Sequence, residues 1–282
     1  MVKLMDGSMW SALEHFGFNL EHHWTFGANR DLELLKKVYE KNLEIGVDYI
    51  TTNTYHFGST LEEISERDKY EQYFENACHV LEQLAKPSKI LGSVGTFATY
   101  FHDCSEYTGA FADLPNIQPK CNQYFRTIFE KFQNLSKIRH LIIETISTRM
   151  EVLEILKVLK DFPEFKIIFS FTLGKAGNLR HGENLAEVLE DFKNCEQVIG
   201  VGINCTDPSN ILEGLQKIGC FQGEIFVYPN IGDNSFLASD KNHAEFVYDR
   251  DLVQSWILAG ATVIGGCCGV KFKHLEQLKN LI

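Results

Sequence analysis

A chain of 282 residues, 44% hydrophobic and 23% charged, has room for one large α/β domain or two small ones, with the composition of a soluble globular protein. Its formal net charge of −11 argues against a nucleic-acid partner, because a phosphate backbone is gripped by clustered Lys and Arg. No segment approaches about 18 consecutive apolar residues, so no membrane span is expected. The opening "MVKLMDGSMWSALEHFG" has no apolar run of signal-peptide length, and a cytoplasmic location is expected. In that reducing compartment the eight cysteines should be thiols, metal ligands or nucleophiles rather than disulfides.

Along the chain, short apolar runs rich in β-branched residues alternate with longer amphipathic ones. The strand-like runs are 2–5, 48–54, 89–96, 140–146, 165–172, 197–205, 224–230 and 261–268. Most are nearly continuous in Ile, Val and Phe, as parallel strands covered on both faces require. Helical spacing fills the intervals. Residues 30–46 carry Leu34, Leu35, Val38 and Leu43 on one face and end on Gly46. Ser147 is the expected N-cap of a helix over 147–162, and 207–219 enters on Asp-Pro and closes on Gly219. Residues 246–260 and 271–282 complete the pattern, and the long loop expected is 100–119. Eight β-then-α units predict a (β/α)8 TIM barrel, one domain over 1–282 with no linker.

A barrel of this kind places its active site where the strands end, at the C-terminal edge. Those ends carry Asp6, then Asn53-Thr54-Tyr55, Glu144, Asn204-Cys205, Asn230 and Cys267-Cys268. Three cysteines from the sixth and eighth strands would meet on one rim although they are distant in sequence. Three thiolates suit zinc, which takes sulfur in tetrahedral geometry, and leave one corner open as a catalytic site does. In "GGCCG", 265–269, two adjacent side chains on a regular strand would face opposite ways, so Gly265 and Gly266 are expected to kink or bulge the strand end. The other reading makes Cys205 a small buried hydrophobe and Cys267-Cys268 a redox or packing feature. Spacing alone leaves both open.

A resemblance separates them. "GINC" at 202–205 with "GGCCG" is similar to the signature of the homocysteine S-methyltransferase family. So are "MDGSMWSALEHFGFNL" at 5–20, "TTNTYH" at 51–56, "SVGTFATY" at 93–100, "SEYTGAF" at 105–111 and "ETIST" at 144–148. "SFTLGKAGNLRHGENL" at 170–185 and "VYPNIGD" at 227–233 continue the same order, so the resemblance runs over essentially the whole chain. It implies a zinc-dependent (β/α)8 barrel that methylates the thiol of homocysteine to give methionine. Cys205, Cys267 and Cys268 would hold Zn2+, Asn230 would fill the open corner at rest, and Asp6 and Glu144 would hold the substrate's amino group. For the two acids the competing role is capping of the following helices.

The methyl donor implied is a cation, S-methylmethionine or S-adenosylmethionine, because the compact chain looks like that branch. Betaine as donor and selenocysteine as acceptor are the alternatives, and a barrel that binds zinc or senses redox state without turnover is the rival of another class. A cationic donor favours aromatic faces, for which Trp24, Tyr55, Phe97 and Tyr107 are candidates against a packing role for each. Cys104 stands where the family pattern has glycine, which puts a free thiol by the site entrance, and Asp233 stands where Glu is common. Cys78, Cys121, Cys195 and Cys220 read as packing, and His22-His23 as a solvated loop pair. "GKAGNLRHGE", 174–183, lacks the glycine spacing of a phosphate loop.

Overall fold

The computed structural model describes residues 1–19, 24–219, 221–232 and 246–282. Eight strands lie in these segments: β1 (Lys3–Leu4), β2 (Ile50–Thr51), β3 (Ile90–Gly95), β4 (His140–Ile146), β5 (Lys166–Phe171), β6 (Val198–Asn204), β7 (Glu224–Tyr228) and β8 (Val263–Ile264). Each falls inside the interval that the sequence reserves for it. All pair in parallel, in the order β1-β8-β7-β6-β5-β4-β3-β2. Leu4 O accepts from Asp48 N at 2.7 Å and Tyr49 N at 3.1 Å, and Met5 bridges Tyr49, so β1 also meets the strand leading into β2. The sheet therefore closes on itself as a (β/α)8 TIM barrel.

Helices α2 (Leu32–Ile45), α3 (Arg67–Leu84), α4 (Ile117–Leu135), α5 (Arg149–Leu159), α6 (Leu185–Glu190), α7 (Pro208–Ile218), α8 (Arg250–Leu258) and α9 (Phe272–Lys279) follow the strands in turn. A short additional helix, α1 (Met9–His15), follows β1 directly. The caps explain the boundaries. Asp31 accepts from Leu34 N at 3.0 Å to start α2, and Gly46 ends it in the left-handed region at φ 93. Asp207 accepts from Ser209 N at 2.9 Å, with Pro208 in the first turn of α7.

Three boundaries differ from expectation. The cap of α5 is Thr148, whose hydroxyl accepts from Glu151 N at 3.3 Å, while the buried Ser147 hydroxyl finds no partner among the described residues. Helix α8 begins at Arg250 rather than 246, because Asp249 caps it with a 2.8 Å bond from Leu252 N. The loop after β3 is wound into tight turns at Phe97–Phe101, Ser105–Tyr107 and Ala110–Asp113 before α4 starts.

Inside the barrel, alternate residues of each strand point inward. Leu91, Ile142, Ile168 and Phe226 form an apolar plug with Met5 and Val263. Two residues further along β3, β4, β5 and β7 come Ser93, Glu144, Ser170 and Tyr228. The interior thus changes from apolar to polar within one strand step, at the C-terminal edge. Outside the sheet a much larger apolar layer packs the helices down, with Phe74, Phe125, Phe129, Phe132, Phe165 and Phe169 all fully buried. Each such ring contributes roughly 1.5–3 kcal/mol of burial free energy, which holds the strand ends in register for the site above them.

Candidate active site

The thiols of Cys205, Cys267 and Cys268 converge on the rim, their sulfurs all within 4.8 Å of one another. The separations are 2.6 Å for Cys205–Cys267, 3.7 Å for Cys205–Cys268 and 3.9 Å for Cys267–Cys268. Sulfurs about 2.3 Å from one tetrahedral zinc lie about 3.8 Å apart. Two of the three separations meet that figure, and Cys205 and Cys267 need to part by about 1 Å to complete it. The donor set fits a soft, tetrahedral cation.

Cys267 and Cys268 reach one point without a left-handed residue before them. Neither Gly265 nor Gly266 has positive φ. Space, not φ, demands glycine there: a Cβ on Gly265 would sit 2.7 Å from Asp6 O, and one on Gly266 would sit 2.2 Å from Val270 Cγ1. Pairing continues past β8, with Gly266 N donating to Asp6 O at 3.1 Å and Cys267 N to Pro229 O at 2.9 Å. The chain then turns back through Gly269, at φ 81, and Val270 N donates to Cys267 O at 3.1 Å. Cys205 is itself left-handed at φ 45, which turns it out of the line of β6.

Charge in the trio is shared unequally. Hydrogen bonds from Cys205 and then Cys267 hold Cys268 well below the usual thiol range. Cys267, partly buried, is pushed well above it by its bonds to Cys205 and Cys268 and by desolvation. For Cys205 the bond with Cys267 favours the thiolate, but Cys268 and burial outweigh it and its pKa ends raised. Uncompensated, three thiolates this close repel strongly, so the cluster favours a cation.

Asp6 and Glu144 stand at the strand ends beside the trio. Asp6 is buried and accepts from Thr51 N at 2.8 Å and Thr51 Oγ1 at 2.9 Å; burial lifts its pKa to about 7 despite those bonds. Glu144 accepts from Ser93 Oγ, and burial lifts its pKa to about 8, with Asp6 and Cys205 adding to the rise. Neither carboxylate caps a helix, and among the described residues neither has a cationic partner. Thr51 and Ser93 orient these acids, a role that the sequence reading did not assign.

The backbone after Glu144 is unusual. Thr145 lies at φ 62, where the register of β4 on β5 shifts. Asn204 accepts from Thr145 N at 2.9 Å and from Ser170 Oγ at 2.8 Å, and donates to Thr145 Oγ1 at 2.9 Å. Asn230 is buried beside Cys268, with its Oδ1 accepting from Gly232 N at 2.9 Å and Ile231 N donating to Cys268 O at 2.9 Å.

The aromatic candidates divide. Tyr107 donates from its hydroxyl to Cys205 Sγ at 3.6 Å, and the Arg180 guanidinium lies 5.7 Å from its ring centre. Burial pushes the Tyr55 hydroxyl well above its ordinary range, and the Glu106, Cys205 and Glu144 charges add to the rise. Trp24 is 45% exposed and stacks on His56 at 5.5 Å, with Tyr55 edge-on to the same imidazole at 4.8 Å. Phe97 is not at the rim. Its ring is 1% exposed, enclosed by Tyr100, Phe101, Phe111 and Tyr124, and it borders a separate cavity of about 450 Å³ beside α3 and α4. The aromatic-rich composition hides such a distinction, because periodicity does not say which ring faces a ligand.

Cys104 is exposed and left-handed at φ 60. The backbone there has the form that glycine adopts freely, which accounts for the glycine of the family pattern. Cys78 and Cys121 are buried in the helical layer, and Cys195 is partly so. His22-His23, Cys220 and Asp233 lie outside the described residues.

Fold and site together define a parallel (β/α)8 barrel whose mouth joins a cluster of three thiols to two acids that have no cationic partner among the described residues. The chain belongs to the homocysteine S-methyltransferase family, whose sequence profile matches residues 3–282. It is 26% identical over 299 residues to the homocysteine S-methyltransferase of Escherichia coli, covering 99% of this chain and 94% of that protein. It is 32% identical over 194 residues to homocysteine S-methyltransferase 2 of Arabidopsis thaliana, a match that covers 65% of this chain and 56% of the relative's length. Among solved structures, the metallated form of the E. coli homocysteine methyltransferase MmuM superposes with a TM-score of 0.83 at 24% identity, over 99% of this chain and 96% of that one.

Proposed function

We propose that the protein, as one domain over 1–282, transfers a methyl group from a cationic donor to the thiol of homocysteine, giving methionine. The observation that carries this reading is the convergence of Cys205, Cys267 and Cys268 within 4.8 Å beside Asp6 and Glu144. The three cysteines would hold Zn2+, and Asn230, next to Cys268, would supply the resting fourth ligand. Bound there, the metal would make the acceptor thiol a thiolate at neutral pH, where a free thiol is mostly protonated.

The remaining work falls to the chain. Asp6 and Glu144 take the substrate's ammonium group as charge-assisted acceptors, which points its thiol at the cluster. Thr51 and Ser93 fix the carboxylate orientations. Tyr107 covers Cys205 from the side of the loop after β3, and with Tyr55 it offers ring faces to the positive centre of the donor. Transfer from a sulfonium to a thiolate neutralises both charges, so alignment and exclusion of water suffice. No general acid or base is required at the reacting sulfur. Cysteines that are free in every described case support a cytoplasmic setting.

S-methylmethionine and S-adenosylmethionine are the first donors to test, with betaine as the third and selenocysteine as a second acceptor. The experiment is methyl transfer to homocysteine with each donor, using zinc-loaded and zinc-stripped protein. Activity restored by zinc with a sulfonium donor supports the reading, and full activity of the stripped protein contradicts it.

A further inference from the structure

The mouth of the barrel holds a third acid that neither the thiol cluster nor the acceptor's amino group uses. Glu106 lies in the tight turn Ser105–Tyr107 of the loop after β3. That turn is rigidly placed. Cys104 enters it left-handed at φ 60, Ser105 N donates to Asp103 Oδ1 at 2.9 Å, and Gly109 N donates to Ser105 O at 2.7 Å. Gly109 is pressed so closely on the next loop that a Cβ there would sit 2.4 Å from His181 Cβ. The following residue, Tyr107, reaches Cys205 Sγ at 3.6 Å, so the turn is tied to the thiol cluster.

The Glu106 side chain is half-buried; its carboxylate accepts from its own backbone N–H, and among the described residues no other residue bonds it and no cation pairs with it. Its charge acts on Cys268 and on Tyr55, which places it at the same mouth. Burial raises its pKa to about 7, with the Cys205 and Asp103 charges adding to the rise. A carboxylate held out of water on a fixed turn without a cation is costly unless a ligand supplies one. Asp6 and Glu144 rise from strand ends, whereas Glu106 comes from the covering loop, where the second substrate must enter.

We infer that Glu106 is a specificity-determining residue for the methyl donor, accepting the ammonium group of a sulfonium amino acid. This rests on the proposed homocysteine methyl transfer. An N–H donor is the group that a carboxylate bonds most strongly. A trimethylammonium cation has no N–H to give, so it gains only the diffuse attraction of the charge. Glu106 therefore favours S-methylmethionine or S-adenosylmethionine over betaine. The methyl-bearing sulfonium is left to the rings of Tyr55 and Tyr107, clear of a competing nucleophilic oxygen.

The test is steady-state kinetics of zinc-loaded wild type and Glu106→Gln, a change that keeps size and removes charge. With S-methylmethionine the donor KM should rise roughly tenfold to a hundredfold, as expected for loss of a hydrogen bond to a charged group. The homocysteine KM and zinc content should stay within about twofold, whereas a distorted loop would shift all three. Wild type should also prefer S-methylmethionine to betaine, and the substitution should narrow that preference. If the wild type is active and the donor KM of Glu106→Gln is unchanged, this inference alone is overturned. A rise confined to the homocysteine KM overturns it too, by assigning Glu106 to the acceptor. A zinc-loaded wild type without methyl transfer overturns the proposed function along with it.

Discussion

Asn204 holds Thr145 in a left-handed backbone conformation, bonding both its amide N–H and its hydroxyl at 2.9 Å. A β-branched residue at φ 62 is strained, since its Cβ crowds the following carbonyl. The strain sits between the two halves of the site, because Glu144 precedes Thr145 and Cys205 follows Asn204. Replacing Asn204 by Ala should cost about 2–3 kcal/mol in urea unfolding, from a buried amide N–H and hydroxyl left unpaired. A second change, Thr145→Gly, should recover part of that loss by removing the strained Cβ. Simple additivity of two losses would show that the asparagine is not what holds the backbone there.

Glu144→Gln and Asp6→Asn should each weaken homocysteine binding by about tenfold or more, through loss of a charge-assisted bond. Zinc content, measured on the purified variants, should stay near that of wild type. A variant that loses metal in proportion to substrate affinity would place its carboxylate in the metal site instead.

The raised pKa values of these two acids set a pH dependence. With Asp6 at about 7 and Glu144 at about 8, both raised by burial, the free folded protein keeps protons that the unfolded chain releases in the ordinary carboxylate range. Stability from this source is complete only below the ordinary carboxylate range and is lost progressively from there until pH has passed 7 to 8. An ammonium ligand reverses the preference, because it binds the ionised carboxylates. A thiol-free amino acid such as 2-aminobutyrate should therefore raise Tm of the metal-free protein more at pH 8 than at pH 6. Calorimetry in buffers of different ionisation enthalpy should show proton release on binding near pH 7. Proton uptake would contradict the assignment.

Cys104 offers a simpler test of backbone reading. At φ 60 and exposed, its side chain adds strain and no buried contact. Cys104→Gly should leave stability unchanged or raise it by up to about 1 kcal/mol, the strain removed less the added freedom of the unfolded chain. A fall in Tm would mean that the thiol makes a stabilising contact.

Much of this was legible in the sequence, for physical reasons. Parallel strands buried on both faces leave unbroken apolar runs, so all eight strands fall within their expected intervals. A barrel also fixes which end carries the chemistry, which brings Cys205, Cys267 and Cys268 onto one rim. Side-chain direction in loops is a different matter. Phe97 and Tyr107 both belong to the segment after β3, yet one ring enters the helical layer and the other reaches a thiol. Glu106 went unassigned because a lone acid in a turn usually lies in solvent, and only the position of its neighbours reveals otherwise. Local capping competition moved the start of α5 by one residue and that of α8 further, since Thr148 and Asp249 each offer a better-placed oxygen.

The most direct measurement is zinc K-edge X-ray absorption on the loaded protein, before and after homocysteine is added. The account predicts three sulfur neighbours at about 2.3 Å with one lighter ligand, becoming four sulfurs when substrate binds. A sulfur count that stays the same on addition of homocysteine, or that survives replacement of Cys205 by Ser, would contradict it.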